Sequence, residues 1–174
     1  MQSNIKLSLS EQQLIDCSSN YGNIGCAGGM MDSAFRYVIN NGITTNSFYP
    51  YQATTNSCSF QKTTMQSYSI KSSKIIYNDC SALTSLLQKQ PVTVVVSVNI
   101  FFIFYSEGIL NSCGTVINHA IQLVGYYKDS QKAYYIGKNS WGPEWGQKGF
   151  VNIDANVQNG NLCNVCAYPQ YVEW

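Results

Sequence analysis

The most fold-specific stretch of this chain reads Lys138-Asn139-Ser140-Trp141-Gly142-Pro143-Glu144-Trp145-Gly146. It follows a predicted strand over residues 133–138, and another glycine, Gly149, comes just beyond it. Bulky aromatic side chains beside glycines indicate a tight turn, which either packs on a core or forms the wall of a site. Taken by itself, the stretch leaves both interpretations open.

Two further segments bear on function. Asn118-His119-Ala120 contains the only histidine of the chain, at the start of a predicted strand. A lone histidine is usually structural, although histidine is also the side chain best suited to proton transfer near neutral pH. The other segment runs from Gln12 to Cys17 and continues into Gly25-Cys26-Ala27-Gly28-Gly29. Its paired glycines allow another chain to approach the backbone closely, although a disulfide-stapled loop with no other role fits equally well.

Taken in order, these segments resemble the papain and cathepsin L family of cysteine proteases. The similarity extends from Leu7 to Tyr171. Five motifs occur in the family's order and with family-like gaps: Leu9-Ser10-Glu11-Gln12 through Asp16-Cys17, Gly25-Cys26-Ala27-Gly28-Gly29, Tyr49-Pro50-Tyr51, Asn118-His119-Ala120 and Lys138-Asn139-Ser140-Trp141-Gly142.

The resemblance implies an α+β papain-like fold in two lobes. A partial helical lobe is expected over residues 1–70, without the family's central helix. An antiparallel β-barrel lobe carrying the histidine and asparagine is expected over residues 71–174. We expect the absence of that helix to leave apolar helix surface exposed and therefore able to bind protein partners.

The resemblance also assigns catalytic roles. Peptide hydrolysis in this family uses a thiolate nucleophile and an imidazolium that protonates the leaving amine. His119 matches the imidazole, and Asn139 matches the amide that orients its ring. Trp141 would cover their hydrogen bond, and Trp145 would shape the leaving-group side of the cleft.

Substrate-binding residues follow from the same resemblance. The glycine loop would pair with substrate backbone like an added strand, and apolar residues would line the pocket for the second residue before the scissile bond. Such a pocket would prefer bulky aliphatic or aromatic side chains. The matching residues are Gly28, Gly29, Met30, Met31, Val95, Ile117 and Asn118.

The nucleophile segment of the family has no match in these residues. In the family its cysteine precedes the histidine by about 130–150 residues. Cys17 is closer to His119 than that, and its Asp-Cys context matches a structural disulfide half. No Gln-Gly-x-Cys sequence occurs, so the glutamine of the oxyanion hole is unmatched too. The sequence therefore predicts a cysteine peptidase homologue that is inactive as this chain alone. A catalytically inactive pseudoprotease serving as a structural or binding subunit is the alternative.

The seven cysteines suit a secreted or vesicular protein with disulfides. By resemblance, Cys17 is expected to pair with Cys58 and Cys113 with Cys163, whereas Cys26, Cys80 and Cys166 stay unassigned. A zinc or redox role for Cys163 and Cys166 is disfavoured, because one C-x-x-C pair and one histidine do not complete a zinc site. The sequence implies no metal and no cofactor.

Charge and hydropathy limit the partners. Net charge is +1 and charged residues make up 11% of the chain, without the basic cluster that nucleic acid would require. No apolar run is long enough to span a membrane. Residues 1–6 show no signal-peptide pattern. A peptide or protein substrate is expected if an N-terminal fragment complements the chain, in a lysosomal, vesicular or extracellular setting that the family implies.

Local patterns predict helices first and strands later. Ser10 to Gln13 has the form of a capping box, in which Ser10 accepts from the backbone and Gln13 reaches back, before a helix through Ile15. A second helix is predicted over Met30 to Asn40, ended by Asn41-Gly42. Its predicted inward face comprises Met31, Ala34, Phe35 and Val38.

The rest of the chain predicts one more helix, over Ser81 to Lys89, among strands. Polar residues from Ala53 to Ser73 predict an irregular crossing between the two halves. The predicted strands are Lys74 to Tyr77, Val92 to Val98, Ile121 to Tyr127, Ala133 to Lys138 and Gly149 to Ile153.

Overall fold

A computed structural model describes residues 7–174. Within these residues the chain forms two compact units, one comprising residues 7–73 and Val172–Trp174, the other Lys74–Tyr171. Each unit has its own hydrophobic core.

The first unit is built around two α-helices, α1 (Glu11–Cys17) and α2 (Met31–Asn41). Two short 3₁₀ helices, Ser19–Tyr21 and Gly25–Ala27, lie between them. The stretch after α2 is largely irregular up to Ser72, as its polar composition predicts. Gly42 ends α2 with a positive φ of 79°, and its N–H donates to the carbonyl of Val38.

The N-terminus of α1 forms only half of the predicted capping box. The backbone N–H of Gln13 donates to Oγ of Ser10 at 3.0 Å, as expected. The side chain of Gln13 does not reach back, however. It donates to the hydroxyl of Tyr37 and accepts from the N–H of Thr44, at 2.8 Å each, and it is fully buried. These tertiary hydrogen bonds replace the capping contact because a buried amide must satisfy both its donors and its acceptor.

The buried face of α2 differs from the predicted one. Ser33, Tyr37 and Val38 are buried, whereas the other residues of the predicted face, Met31, Ala34 and Phe35, are only half-buried. Tyr37 turns inward because its ring meets Tyr21 edge-on at 5.5 Å and its hydroxyl bonds Gln13. The apolar periodicity could not identify this polar contact.

The second unit combines helices α3 (Cys80–Leu87) and α4 (Ile100–Ile103) with most of a six-stranded sheet. The sheet order is β1-β6-β2-β3-β4-β5, and the pairings among β2 to β6 are antiparallel. The strands are β1 (Ser72–Ile75), β2 (Val92–Val96), β3 (His119–Lys128), β4 (Ala133–Lys138), β5 (Phe150–Asp154) and β6 (Gln170–Glu173).

The α+β class is confirmed, but the sheet is open and not closed into a barrel. The outer edge of β5 is covered by the chain around Leu110, which bridges to Ile153 in parallel. The N–H of Leu110 donates to Asn152 at 2.7 Å, and its carbonyl accepts from Asp154 at 2.9 Å. This edge is therefore satisfied without a further strand.

The core of the second unit follows strand alternation. Val92, Val94 and Val96 of β2 are fully buried, whereas Thr93 and Val95 point to the opposite face and are half-buried. Alternate side chains of a strand face opposite sides of its sheet, so the β-branched run both forms the strand and fills the core.

Most predicted boundaries shift by one or two residues. The predicted strand Lys74 to Tyr77 is observed two residues earlier, as β1, and β3 begins two residues earlier than expected, at His119. The sequence analysis did not predict α4 or β6. Within residues 7–174 the structure contains no helix long and apolar enough to cross a membrane.

Candidate active site

A histidine and an asparagine meet where β3 begins and β4 ends. His119 is the first residue of β3, and Asn139 directly follows β4. Because the two strands run antiparallel, with Gln122 opposite Lys138, the start of one lies beside the end of the other. The Nε2 atom of His119 lies 2.8 Å from Oδ1 of Asn139.

The orientation of the asparagine amide is determined by a second contact. The backbone N–H of Ser140 donates to Oδ1 of Asn139 at 2.8 Å. A backbone N–H can only donate, so the amide atom facing both partners is the oxygen. An amide oxygen can only accept, and therefore Nε2 of His119 carries the hydrogen in this contact. Nδ1 of His119 forms no hydrogen bond within residues 7–174 and is the nitrogen left for proton transfer.

Asn139 is held firmly. Its side chain is 7% exposed, and its backbone N–H donates to the carbonyl of Gly149 at 2.9 Å. Its Nδ2 atom is buried without a hydrogen-bond partner in the described part of the chain.

An aromatic cluster lies against the histidine. The rings of Trp141 and His119 have centroids 5.0 Å apart and planes inclined by 32°. Trp145 meets Trp141 edge-on at 5.2 Å and stacks on Phe102 at 5.3 Å. The indole Nε1–H of Trp145 donates to the carbonyl of Ile103 at 2.9 Å. The tryptophan turn, residues 138–146, therefore fits both interpretations that the sequence left open. It packs on a core residue, and it borders the histidine.

Phe102 is a site-supporting residue that the sequence analysis missed. It is fully buried in α4 and contacts both tryptophans. The signal was present, since Asn99 precedes an apolar run and accepts from the N–H of Phe102 at 3.1 Å as an N-cap. A helix start could therefore have been predicted there.

The other expected site residues of this unit lie at one end of β2 and β3. The side chain of Asn118 bonds Val98 twice, accepting from its N–H at 2.8 Å and donating to its carbonyl at 3.1 Å. This side chain therefore joins two chain segments. Val95 lies on the face of β2 away from the core, opposite Ala120, and Ile117 is 39% exposed.

In the first unit, the predicted glycine loop is exposed. Gly28 has a φ of 119°, and its carbonyl accepts from the N–H of Ile24 at 2.9 Å. A Cβ atom on Gly29 would overlap Oδ1 of Asn23, which accepts from the N–H of Met30 at 2.8 Å. Within residues 7–174, the backbone polar groups of Gly29 form no hydrogen bond and remain available to an added strand.

The two methionines after this loop differ in exposure. Met30 is 63% exposed and precedes α2 as its N-cap residue, whereas Met31 is half-buried as the first residue of the helix. An exposed methionine is a flexible apolar surface that adapts to different ligands.

Six of the seven cysteines form disulfides. The structure contains the two pairs that the resemblance implies, Cys17–Cys58 and Cys113–Cys163. It also contains Cys80–Cys166, which the sequence analysis left unassigned. Nothing in the spacing points to this pair, since only the packing of α3 brings residues separated by 86 positions together. Cys26 is free and exposed.

In the part of the chain that the structure describes, no group of three or more His, Cys, Asp or Glu side chains could hold a metal ion. The candidate site consists of an oriented imidazole, its amide partner and an aromatic wall. Such an arrangement can transfer a proton at Nδ1 of His119.

Curated relatives match most of this chain. Digestive cysteine proteinase 3 of Homarus americanus is 38% identical over 170 residues, which is 95% of this chain and 52% of that protein. Cathepsin L1 of Drosophila melanogaster is 39% identical over 175 residues, covering 96% of this chain and 48% of the relative. The chain thus spans about half the length of these curated relatives.

Solved structures match the fold. The bromelain protease from Ananas comosus, solved in complex with the E64 inhibitor, has a TM-score of 0.89 at 34% identity, covering 99% of this chain and 80% of its own. Digestive procathepsin L 3 of Tenebrio molitor larval midgut has a TM-score of 0.89 at 38% identity. The match covers 97% of this chain and 56% of that structure's chain. The model of the papain family cysteine proteases matches residues 1–172. The chain therefore belongs to the papain family of cysteine proteases.

Proposed function

We propose that this chain supplies the imidazole and amide of a Cys-His-Asn peptidase, with His119 as the acid–base residue and Asn139 as its positioning residue. The observation that supports this most is the hydrogen bond between them, 2.8 Å long, which leaves Nδ1 of His119 for proton transfer. The nucleophilic thiol comes from outside these 174 residues, since no Gln-Gly-x-Cys sequence occurs within them.

The proposed reaction proceeds in two balanced steps. The external thiolate attacks the peptide carbonyl carbon, and the Nδ1–H of protonated His119 gives its proton to the leaving nitrogen as the C–N bond breaks. A thioester and a free amine result. Neutral His119 then takes a proton from water as the water oxygen attacks the thioester, and the C–S bond breaks to release the carboxylic acid and the thiolate.

Asn139 favours this chemistry by orienting the ring. Its oxygen accepts from Nε2 in both charge states of His119, so the ring stays in place while Nδ1 gains and loses its proton. A neutral amide suffices, because the thiolate–imidazolium pair is already ionised. Trp141, 40% exposed and 5.0 Å from the imidazole ring, would shield this hydrogen bond from water.

Substrate contacts are proposed for each unit separately. In the first unit, the unbonded backbone of Gly29 would pair with an extended peptide, beside Gly28, and Met30 and Met31 would contact apolar side chains. In the second unit, Val95 and Ile117 would contact apolar side chains of the peptide, and the backbone of Asn118 would pair with it. The side chain of Asn118 is already used by Val98, which leaves its backbone for substrate.

The alternative is a pseudoprotease that binds protein partners without hydrolysis. The half-buried residues Met31, Ala34 and Phe35 of α2 favour this alternative, since they form an apolar helix face that the first unit leaves only partly covered. Both proposals place the protein in a vesicular or extracellular compartment, because three disulfides form most readily where the environment is oxidising.

Measurements on the native protein distinguish the two proposals. We would measure its intact mass under native and denaturing conditions, its labelling by an epoxide probe of cysteine proteases, and its hydrolysis of a fluorogenic peptide with an apolar residue two positions before the scissile bond. For the peptidase we expect one labelled thiol outside these residues and hydrolysis that is lost in His119→Ala. Ser140→Ala, which keeps the backbone donor to Asn139, is the matched control and should retain activity.

A chain of about the calculated 19.4 kDa that is unlabelled, hydrolyses nothing and co-purifies with another protein would contradict the peptidase proposal and support the pseudoprotease. Labelling at Cys26 would also contradict the proposed source of the thiol.

A further inference from the structure

A cavity of about 240 Å³ lies behind the tryptophan turn of the second unit. One side consists of the turn itself, at Gly142 and Pro143, and the other of the junction leading into β5. Asn139 lies in the wall of this cavity, which the proposed reaction does not use. Its lining comprises Lys138, Asn139, Gly142, Pro143, Lys148, Gly149 and Phe150.

Two lysines, Lys138 and Lys148, line this cavity. Lys138 ends β4 and pairs with Phe150, the first residue of β5. Lys148 lies in the turn two residues before β5. Both lysines are exposed and contribute to the same concave surface, together with the apolar residues Pro143 and Phe150.

Neither ammonium group is neutralised within residues 7–174. Lys138 and Lys148 have no carboxylate within ion-pair distance and no side-chain hydrogen bond. The nearest acidic residue in sequence, Glu144, belongs to the same turn but does not line the cavity. Two like charges beside an apolar surface attract an anion more strongly than either would alone in water.

The backbone at Lys148 is unusual. Its φ of 58° lies in the left-handed region, which disfavours any residue except glycine and, to a lesser extent, asparagine or aspartate. The neighbouring Gly149 also has a positive φ, and a Cβ there would lie 3.2 Å from the carbonyl oxygen of Gly142. A lysine therefore occupies a position where local backbone preference favours glycine.

We propose that this cavity binds a single oxyanion group, either sulfate, phosphate or carboxylate, between Lys138 and Lys148. Each ammonium can donate charge-assisted hydrogen bonds to the anion, and the low polarity of Pro143 and Phe150 strengthens the attraction. The proposal depends on charge and shape alone and does not rest on the proposed peptidase function.

Isothermal titration of the full chain with sodium sulfate, and separately with sodium acetate, at constant ionic strength tests the proposal. Constant ionic strength removes general screening from the comparison. We expect saturable binding of at least one anion, weakened tenfold or more in Lys138→Gln/Lys148→Gln. The matched control is Lys89→Gln/Lys128→Gln, which removes two exposed charges of the same unit away from the cavity and should bind like wild type.

Lys148→Gly provides a second variant, because glycine relieves the left-handed φ and the protein should fold at least as well. It should still bind the anion more weakly than wild type. Glu144→Gln should bind equally or more tightly, since it removes a negative charge from the turn. Titrations that do not saturate with either anion, or equal weakening in both double variants, would overturn the proposal.

Discussion

Oδ1 of Asn139 accepts from Nε2 of His119 over 2.8 Å, and the same oxygen accepts from the N–H of Ser140 at the same distance. The second bond orients the amide, and the oriented amide selects one tautomer of the imidazole. The position of the imidazole proton is thus determined by a backbone group one residue beyond the asparagine.

Asn139→Ala should remove the preference of His119 for the tautomer protonated at Nε2. In ¹⁵N NMR spectra recorded with the His119 imidazole neutral, we expect wild type to show a protonated Nε2 and an unprotonated Nδ1. The variant should show a mixture of the two tautomers. If the thiol is supplied, kcat/KM should fall on the order of 10²-fold, because the ring is no longer held in a reactive orientation. Ser140→Ala should leave both measurements unchanged, and an unaltered tautomer in Asn139→Ala would contradict the assignment.

Gly29→Ala should destabilise the first unit. The new Cβ overlaps Oδ1 of Asn23 and breaks its hydrogen bond to the N–H of Met30, so we expect a loss of about 1–3 kcal/mol in the free energy of unfolding. Urea unfolding measures this loss. In an Asn23→Ala background the overlapping atom is absent, and Gly29→Ala should then cost far less. Equal costs in both backgrounds would show that the clash is not the cause.

Cys80→Ser/Cys166→Ser should reduce stability substantially. The disulfide closes 86 residues of sequence and ties the first residue of α3 to the segment after β5. That segment contains the non-glycine residues Gln158, Asn159, Cys163 and Asn164 with positive φ, which need tertiary contacts to stay in place.

We expect a loss of about 2–5 kcal/mol in the free energy of unfolding for this double variant. Cys26→Ser, at a free and exposed cysteine, should change it by no more than about 0.5 kcal/mol. Equal stability of the two variants in urea would mean that the third disulfide contributes nothing.

The stability of wild type should fall at alkaline pH because of Tyr135. Burial raises the pKa of Tyr135 from 10.0 to about 12. Between these values the unfolded state has lost its phenolic proton while the folded state retains it. The stabilisation is therefore complete below about pH 10 and is lost as the pH rises towards about 12.

The Tyr135→Phe variant has no phenolic proton to lose. Over this pH range its free energy of unfolding should therefore fall by about 2 kcal/mol less than that of wild type. Rapid urea unfolding of both proteins at pH 8 and pH 11.5 measures the difference. Because the other tyrosines titrate in both proteins, parallel curves for the two would contradict this role of Tyr135.

The sequence determined the family, the α+β class and the residues of the candidate site. Motifs around His119, Asn139 and Trp141 are recognisable because the chemistry and the tight turn tolerate few residue types. Strand β4 was predicted with its observed bounds, since its run of aromatic and aliphatic residues is bounded by polar turns.

Only the tertiary structure decided how polar groups are satisfied. Gln13 bonds Tyr37 and Thr44 instead of closing a capping box, Tyr37 faces inward in place of Phe35, and Cys80 pairs with Cys166. Each of these contacts joins residues far apart in sequence, so local periodicity carries no information about them. A buried donor, acceptor or thiol takes the partner that packing brings within reach, and that partner depends on the whole fold.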